Sequence, residues 1–145
     1  MTTYTNLITV GSKLQYADSV SSFMMKRTLD FSVTGYTAAD VIQLFHIPAK
    51  VFVAKVMWDV TTAEGGTFTF DIGDGGDVDG YIDGADGNAV GNGSSLIVLT
   101  EATPNTITGY SNGKYYSAAD TLDLLVNNTV DAGVMTVKAL CYDFS

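Results

Sequence analysis

Apolar and polar side chains alternate with a period of two through much of the chain after residue 50. In KVFVAKVMWDV (50–60), one set of alternate positions is apolar: Phe52, Ala54, Val56, Trp58 and Val60. In TFTFDI (67–72), the apolar set is Phe68, Phe70 and Ile72. Such alternation is typical of strands that bury one face. Because TAEGG (62–66) has the composition of a turn, the two stretches together predict a β-hairpin with one buried and one exposed face.

Seven further stretches predict strands, and most are separated by Gly, Asn or Asp: 29–33, 41–47, 78–82, 95–100, 114–116, 122–126 and 134–142. Many short strands joined by turn residues indicate a β-sandwich or barrel. The best helix candidate is 16–25, where Tyr16, Val20 and Phe23 share a helical face, but two serines and the lack of a clear cap weaken it. The alternation predicts these core residues: Phe52, Val56, Trp58, Phe68, Phe70, Ile72, Leu122, Leu124, Val137 and Cys141.

The start of the chain differs from the rest. It is rich in Thr, Ser, Tyr and Asn and has too little continuous apolar pattern to form a core by itself. We therefore divide the chain into an N-terminal arm, residues 1–27, and a β-sandwich domain, residues 28–145. The alternative is a frayed terminus followed by one edge strand.

Composition limits the possible functions. The 145 residues suit a single domain, and 46% of them are apolar, which predicts a folded core. One cysteine excludes an intrachain disulfide framework. The net charge of −9 argues against nucleic acid as a partner, because phosphate binding needs a positive surface. We find no signal peptide and no apolar stretch long enough to span a membrane.

The segment FTFDIGDGGDVDGYIDGADGN (68–88) is the first candidate site, with six aspartates and no cation: Asp71, Asp74, Asp77, Asp79, Asp83 and Asp86. Aspartate oxygens are suitable calcium ligands. The EF-hand spacing is absent, however, since Tyr81 stands where a third ligand is required. Asp-Gly pairs also suit turns on their own account. We therefore predict turns between strands and no metal site, although calcium binding by residues 71–86 stays open.

No constellation of residues predicts an enzyme, a cofactor or a catalytic site. The aspartates lie in a polar, glycine-rich segment, where nothing raises the pKa of one carboxyl as glycoside hydrolysis requires. The single histidine, His46, lies in an apolar run and is interpreted as an interior or interface residue. Cys141 shares a strand face with Met135, Val137 and Ala139, so it is interpreted as a small core residue.

Aromatic side chains offer one alternative function. They could line a sugar site, as in lectin jelly rolls: Trp58, Tyr81, Tyr110, Tyr115 and Tyr116. Trp58 alternates with apolar residues, which favours a core position instead. A carbohydrate-binding module for host adhesion, with or without calcium, is therefore the alternative hypothesis.

The segment IPAKVFVAKVMWDVTTAEGGTFTFDIGDGGDVDGYIDGADGN (47–88) resembles one that recurs in the small cement or decoration proteins of tailed-bacteriophage capsids. The shared features are a proline-led strand, a V-x-T-A-E-G-G-T-F-x-F-D-I-G-D-G pattern over 60–75 with one extra Thr, and a D-x-D-G-Y turn. They cover about a third of the chain and contain no catalytic signature.

The resemblance implies an all-β, jelly-roll-like antiparallel β-sandwich in a virion structural protein. It implies binding to the major capsid protein on the exterior of the shell, after synthesis in the bacterial host cytoplasm, and stabilisation of that shell. It also implies a homo-oligomer, which we expect to be cyclic because closed symmetry is the rule for identical subunits, and to be a homotrimer more than a homodimer. The N-terminal arm is then expected to pack on a neighbouring copy or on the capsid.

Overall fold

The chain folds into nine β-strands in a computed structural model that describes residues 21–95, 109–110 and 112–145. The strands are β1 (Ser21–Asp30), β2 (Val41–Ile47), β3 (Val51–Thr62), β4 (Thr69–Asp74), β5 (Asp77–Asp86), β6 (Gly91–Ser94), β7 (Lys114–Tyr116), β8 (Asp120–Val126) and β9 (Val134–Asp143). The described part of the chain contains no helix. The helix predicted over 16–25 is therefore wrong for residues 21–25, which belong to β1, while 16–20 lie outside the described residues.

The strands form two antiparallel sheets that pack as a sandwich. The first sheet has the order β1-β9-β3-β6, with β7 also paired to β3, and the second has the order β2-β8-β4-β5. Consecutive strands β1 to β4 lie alternately in the two sheets, so the chain crosses the core at each connection. The predicted all-β sandwich is confirmed.

Strand β1 pairs with β9 along its whole length, from Ser21 opposite Asp143 to Asp30 opposite Val134. The boundary at residues 27 and 28, proposed between arm and sandwich, therefore falls inside a strand of the first sheet. Phe23 and Met25 of this strand pack against the core. The predicted strand over 29–33 is correct only for its first two residues, because 31–34 form a turn. Residues 1–20 of the predicted arm lie outside the described residues.

The hairpin predicted from the two alternating stretches is wrong. Strand β3 belongs to the first sheet, whereas β4 pairs with β5 and β8 in the second. The two strands instead face each other across the core, where the rings of Trp58 and Phe70 meet edge to face with centroids 5.5 Å apart. Alternation indicates which face of a strand is buried, but it does not say whether two such faces lie side by side in one sheet or opposite one another.

A β-bulge in β3 reverses the alternation near the start of that strand. Val53 pairs with Cys141 and Lys55 with Leu140, so Ala54 is the extra residue. An extra residue moves the side chains on either side of it to opposite faces. Val51 and Val53 are consequently buried, and Phe52 is only partly buried. The prediction of Phe52 in the core is wrong for this reason.

A second bulge accounts for the position of His46. The register of β2 against β8 shifts between Gln43 and Phe45, which leaves Leu44 as the extra residue. Ile42 and Leu44 are buried before the shift and Ile47 after it, so His46 is exposed. His46 is therefore not an interior residue, and its role at an interface stays a prediction.

The core between the sheets contains most of the predicted residues. Those that are buried are Val56, Phe68, Phe70, Ile72, Leu122, Leu124, Val137 and Cys141. Trp58 is half-buried and packs against this cluster. Strand β6 was not predicted, because its sequence, GNGS, has no apolar residue. Of the predicted strand 95–100, Ser95 lies outside β6 and the remaining residues lie outside the described ones.

Candidate functional site

The aspartate-rich segment is a β-hairpin and not a series of turns, which corrects the interpretation from the sequence. β4 and β5 pair from Thr69 opposite Asp86 to Asp74 opposite Asp77, and only Gly75 and Gly76 form the connecting turn. Register shifts on both sides of Ile72 insert extra residues into β5. The Asp-Gly pairs therefore supply bulges within a strand, which glycine permits because it tolerates unusual backbone angles.

The six aspartates have different environments. Asp79, Asp83 and Asp86 are exposed on β5, which is the edge strand of the second sheet. Asp71 and Asp74 are buried on β4. Asp77 is partly buried, so the aspartates are divided between an exposed group on β5 and a buried pair on β4.

Asp71 stabilises the bulge in β5. Its Oδ1 accepts hydrogen bonds from the backbone N–H of Gly84 at 2.6 Å and from Nδ2 of Asn127 at 3.0 Å. Gly84 has a φ of 63°, a left-handed conformation that favours glycine. This carboxylate therefore connects β5 to the end of β8 through β4.

Asp74 is the centre of a buried polar cluster, here called the Asp74 cluster, which comprises Asp74, Tyr81, Tyr110, Lys114 and Tyr116. Oδ2 of Asp74 accepts hydrogen bonds from Lys114 Nζ at 2.5 Å and from the Tyr116 hydroxyl at 2.7 Å. Oδ1 accepts from the Tyr110 hydroxyl at 3.1 Å.

Backbone groups of the hairpin turn complete the coordination of Asp74. Its Oδ1 also accepts from the N–H groups of Gly76 at 2.9 Å and Asp77 at 3.2 Å. The carboxylate thus holds its own turn closed, as Asp does in Asx-turns, while it binds side chains from the first sheet. Both oxygens are occupied by groups of the same chain.

The tyrosines of the cluster extend the network into the core. The hydroxyls of Tyr81 and Tyr116 lie 3.2 Å apart, and both side chains are buried. Lys114 Nζ lies over the rings of Tyr110 and Tyr116, at 4.2 and 4.9 Å from their centroids. A cation over an aromatic face is attracted by the ring quadrupole, so the lysine is held by the rings as well as by the carboxylate.

The cluster shifts the pKa of each member in the direction that its contacts require. Burial opposes ionisation of Asp74, but the hydrogen bonds from Lys114, Tyr116 and Gly76 outweigh it and hold the pKa of Asp74 below its usual value. Burial likewise opposes the charge on Lys114, yet its bonds to Asp74 and Tyr110 raise the pKa of Lys114. Burial raises the pKa of the Tyr81 and Tyr116 phenols. At neutral pH the cluster contains a carboxylate, an ammonium group and neutral phenols.

The Asp74 cluster connects the two sheets at one end of the sandwich. Asp74 and Tyr81 belong to the second sheet, and Lys114 and Tyr116 belong to β7 of the first. The backbone adds a contact nearby, where Tyr110 N–H donates to the Gly80 carbonyl at 2.5 Å. Sequence reasoning assigned these tyrosines to a sugar site and treated the aspartate separately. No signal in the sequence connects positions that are some forty residues apart.

Tyr115, a candidate for the sugar site, and Cys141, a predicted core residue, lie outside this cluster. Tyr115 is 50% exposed and packs edge to face on Phe144 with centroids 6.0 Å apart. Cys141 is fully buried, as predicted, and its burial raises the pKa of the thiol to about 11. A buried thiol with a raised pKa is a poor nucleophile.

The acidic hairpin of β4 and β5 contains the candidate metal ligands from the sequence. In the part of the chain that the structure describes, no three His, Cys, Asp or Glu side chains come together in a group that could hold a metal ion.

Among the described residues, no helix is long and apolar enough to cross a membrane. The predictions that concern metal ions and membranes stay predictions.

A shallow cavity of about 400 Å³ lies on the first sheet, beside the predicted sugar-site residue Trp58. It is lined by Lys55, Met57, Trp58, Asp59, Asn92, Gly93, Ser94, Thr136 and Lys138. Gly93 lies opposite Trp58, and a Cβ at Gly93 would come within 2.7 Å of the indole Nε1. The absence of a side chain at Gly93 therefore lets β6 pack against the indole.

Comparison with known proteins gives matches in structure alone. No protein-family model matches the chain, and no curated protein matches its sequence. A chain of the capsid asymmetric unit of cyanophage Pam1 is similar in structure, with a TM-score of 0.61, 14% identity, and coverage of 88% of this chain and 87% of that chain.

Two further phage capsids contain similar chains. In the acidic stable capsid structure of Helicobacter pylori bacteriophage KHP30, the TM-score is 0.57 at 17% identity, over 83% of this chain and 86% of that chain. In the capsid of Ralstonia phage GP4, the TM-score is 0.55 at 15% identity, over 90% of this chain and 88% of that chain. All three matches extend over most of both chains, so the fold as a whole is shared with chains found in phage capsid structures.

Proposed function

We propose that this protein is a structural component of a bacteriophage virion, a cement or decoration protein that binds the outside of the major capsid shell and stabilises it. The observation that carries the proposal is the shared sandwich in three phage capsid structures, over more than four-fifths of each chain compared. The phage-like sequence pattern over 47–88 supports it independently. That segment contains β3, β4 and β5, which form part of both sheets.

The strand order supports the jelly-roll part of the proposal. An eight-stranded jelly roll has two four-stranded sheets whose strands are connected across the sandwich. Here β1, β9, β3 and β6 form one such sheet and β2, β8, β4 and β5 the other, with the short β7 as an addition beside β3. Among the described strands, β1, β2, β5 and β6 lie at the edges of the two sheets, and sheet edges are common sites of contact with neighbours.

The chemistry of the described residues favours a structural role over catalysis. Asp74 has the most extensive polar contacts, and those contacts belong to a closed network that connects two sheets. The raised pKa of the buried Cys141 thiol argues against a nucleophile. We therefore propose that the protein is not an enzyme.

Binding to capsid shells tests this proposal directly. Purified protein is mixed with shells of the cognate phage that lack it, and the bound fraction is measured by co-sedimentation and located by electron cryo-microscopy. We expect saturable density on the outer surface and a higher temperature of shell disruption. A protein that neither co-sediments with shells nor raises that temperature contradicts the proposal.

The sugar-binding alternative has one specific observation in its favour, the cavity beside Trp58. Its lining includes Trp58 and the polar residues Asp59, Asn92 and Ser94, whose side chains are suitable for a sugar. Binding to a glycan array, lost in Trp58→Phe and Asn92→Ala variants that still bind shells normally, would support a second, adhesive function. An array without binding above background contradicts it.

A further inference from the structure

The outer surface of the first sheet has a row of three lysines, Lys26, Lys55 and Lys138, here called the lysine face. Lys26 of β1 lies directly opposite Lys138 of β9. On β3, Lys55 lies opposite Leu140, which is the next outward-facing residue of β9 after Lys138. The odd-numbered residues 135–141 of β9 are buried, which places Lys138 and Leu140 on the outside.

The lysine face is electrostatically unfavourable in the isolated chain. Like charges directly opposite each other on neighbouring strands are destabilising, and Lys26 and Lys138 form such a pair. Asp59 lines the same cavity as Lys55 and Lys138, but the only ion pair among residues 21–95, 109–110 and 112–145 is that of Lys114 with Asp74. An anionic partner would remove this repulsion.

Two methionines lie beside the lysines, as in a contact surface. Met24 is 55% exposed on β1, two residues from Lys26, and Met57 lies directly opposite Lys138. Methionine is enriched in protein interfaces, because its flexible side chain adapts to the partner. The surface therefore fits a protein partner with acidic side chains.

This chain itself carries the complementary surface. Strand β5 is the edge of the second sheet and exposes Asp79, Asp83 and Asp86, here called the acidic edge. Val78 is 51% exposed beside them. The hydrogen bond with Asp79 and the negative charge of that residue raise the pKa of Asp77. Among the described residues, the backbone of Tyr110 bonds to Gly80 of this edge, and Asp79 and Asp83 stay exposed on either side of Gly80.

We propose that the lysine face of one copy binds the acidic edge of a second copy, with Asp79 and Asp83 of one subunit beside Lys26, Lys55 and Lys138 of the next. Each contact then uses two different surfaces and is heterologous. A repeated heterologous contact gives a ring when the rotation between copies closes, and a closed ring is the form that this proposal takes.

This inference does not depend on the capsid, because assembly is measured in free solution. A protein that forms rings but does not bind shells contradicts the proposed function alone. A protein that binds shells as a monomer contradicts the present inference alone.

The test uses charge reversal on the full-length chain, followed by sedimentation velocity in low salt. One variant carries Lys26→Glu, Lys55→Glu and Lys138→Glu, and a second carries Asp79→Lys and Asp83→Lys. We expect wild-type rings, and association at least roughly tenfold weaker in each variant because like charges then face each other. Added salt should weaken the wild-type rings. Lys50→Glu and Asp131→Lys, exposed and outside both surfaces, serve as matched controls and should assemble normally.

Complementation separates a direct contact from a general effect of charge. The lysine variant keeps an intact acidic edge, and the aspartate variant keeps an intact lysine face. In their mixture the wild-type contact and its charge-reversed counterpart can both form, but only between unlike variants, so we expect the mixture to associate where neither variant does so alone. A chain that carries all five substitutions should form rings again. A monomeric wild-type protein, normal rings in either variant, or failure of the fivefold variant to assemble while it melts normally would each overturn the proposal.

Discussion

Lys114 Nζ lies 2.5 Å from Oδ2 of Asp74, and this ion pair joins the two sheets of the sandwich. The Asp74 side chain is completely buried, whereas 27% of the Lys114 side chain is exposed. The pair is therefore asymmetric: water can solvate the lysine if its partner is lost, but nothing outside the cluster can replace the carboxylate. Asp74 thus contributes more to the free energy of unfolding than a surface ion pair does.

Replacement of Asp74 by alanine is expected to lower the free energy of unfolding by about 3 kcal/mol. The substitution leaves the buried Tyr116 hydroxyl and the partly buried Lys114 without their acceptor, and breaking one side of a buried pair typically costs about 3–5 kcal/mol. We expect a cost at the lower end of this range because the Lys114 side chain is partly exposed to solvent. Urea unfolding measures the difference. Asp83→Ala, at an exposed position of the same hairpin, should change stability by less than about 0.5 kcal/mol. Equal stabilities of the two variants would contradict the role assigned to Asp74.

The shifted pKa of Asp74 predicts that the free energy of unfolding depends on pH. The pKa of Asp74 is lower in the folded protein than in the unfolded chain, so the unfolded state binds more protons between the two values. The stability from Asp74 is therefore complete above the unfolded pKa, about 3.9, and is lost as pH falls through the folded pKa. We expect the difference in unfolding free energy between wild type and Asp74→Asn to be largest near pH 7 and to shrink below about pH 4. A difference that is constant from pH 7 to pH 2.5 would count against it.

Phe70 is expected to contribute more to stability than Phe52, although both alternate with polar or small residues in the sequence. Phe70 is fully buried and packs against Trp58, whereas Phe52 lies on the other side of the bulge and is half-buried. Phe70→Ala should lower the free energy of unfolding by about 3–5 kcal/mol, the usual cost of a buried Phe. Phe52→Ala should cost clearly less. Thermal and urea unfolding of the two variants give the comparison, and the reverse order would mean that the bulge is misplaced.

Because of the bulge in β3, we expect the fold to be unusually sensitive to the deletion of a single small residue, Ala54. Removal of Ala54 would restore simple alternation and force either Val51 and Val53 or Val56 and Val60 out of the core. We expect loss of the cooperative unfolding transition. Deletion of Ala118, in the exposed connection between β7 and β8, should leave that transition nearly unchanged. Similar behaviour of the two deletions would show that the extra residue does not set the register.

These bulges explain why sequence patterns predicted the sandwich better than its details. Alternation is a local property, so it identified β3, β4, β8 and β9 and most of their buried residues. A bulge changes the face without changing the composition, which is why Phe52 and His46 were placed on the wrong side.

The Asp74 cluster is a different case, because it depends on contacts between distant parts of the chain. The sequence around Asp74 is typical of solvent-exposed turns. Its partners Lys114 and Tyr116 follow SNG (111–113), which is typical of a turn before a strand. Only the crossing of the chain between sheets brings them together. Which side chains meet between the two sheets depends on the topology of the chain, and the local sequence around each residue does not predict it.

Two truncations test which part of the N-terminal region belongs to the sandwich. A protein that starts at Thr28 loses residues 21–27, where β1 pairs with β9. It also loses Phe23 and Met25, which pack on the core, and Arg27, whose guanidinium donates to the Gln43 carbonyl. We expect this protein to melt at a much lower temperature or to aggregate through the exposed edge of β9.

A protein that starts at Ser21 keeps all of β1 and should retain the wild-type melting temperature and circular dichroism spectrum. If residues 1–20 attach the protein to the capsid, as expected from the sequence, this shorter form should bind capsid shells more weakly while it stays folded. The comparison needs both truncated proteins, since weak binding by the Thr28 form alone would follow from its loss of stability. Normal shell binding by the Ser21 form would show that attachment relies on the sandwich itself and not on the residues before it.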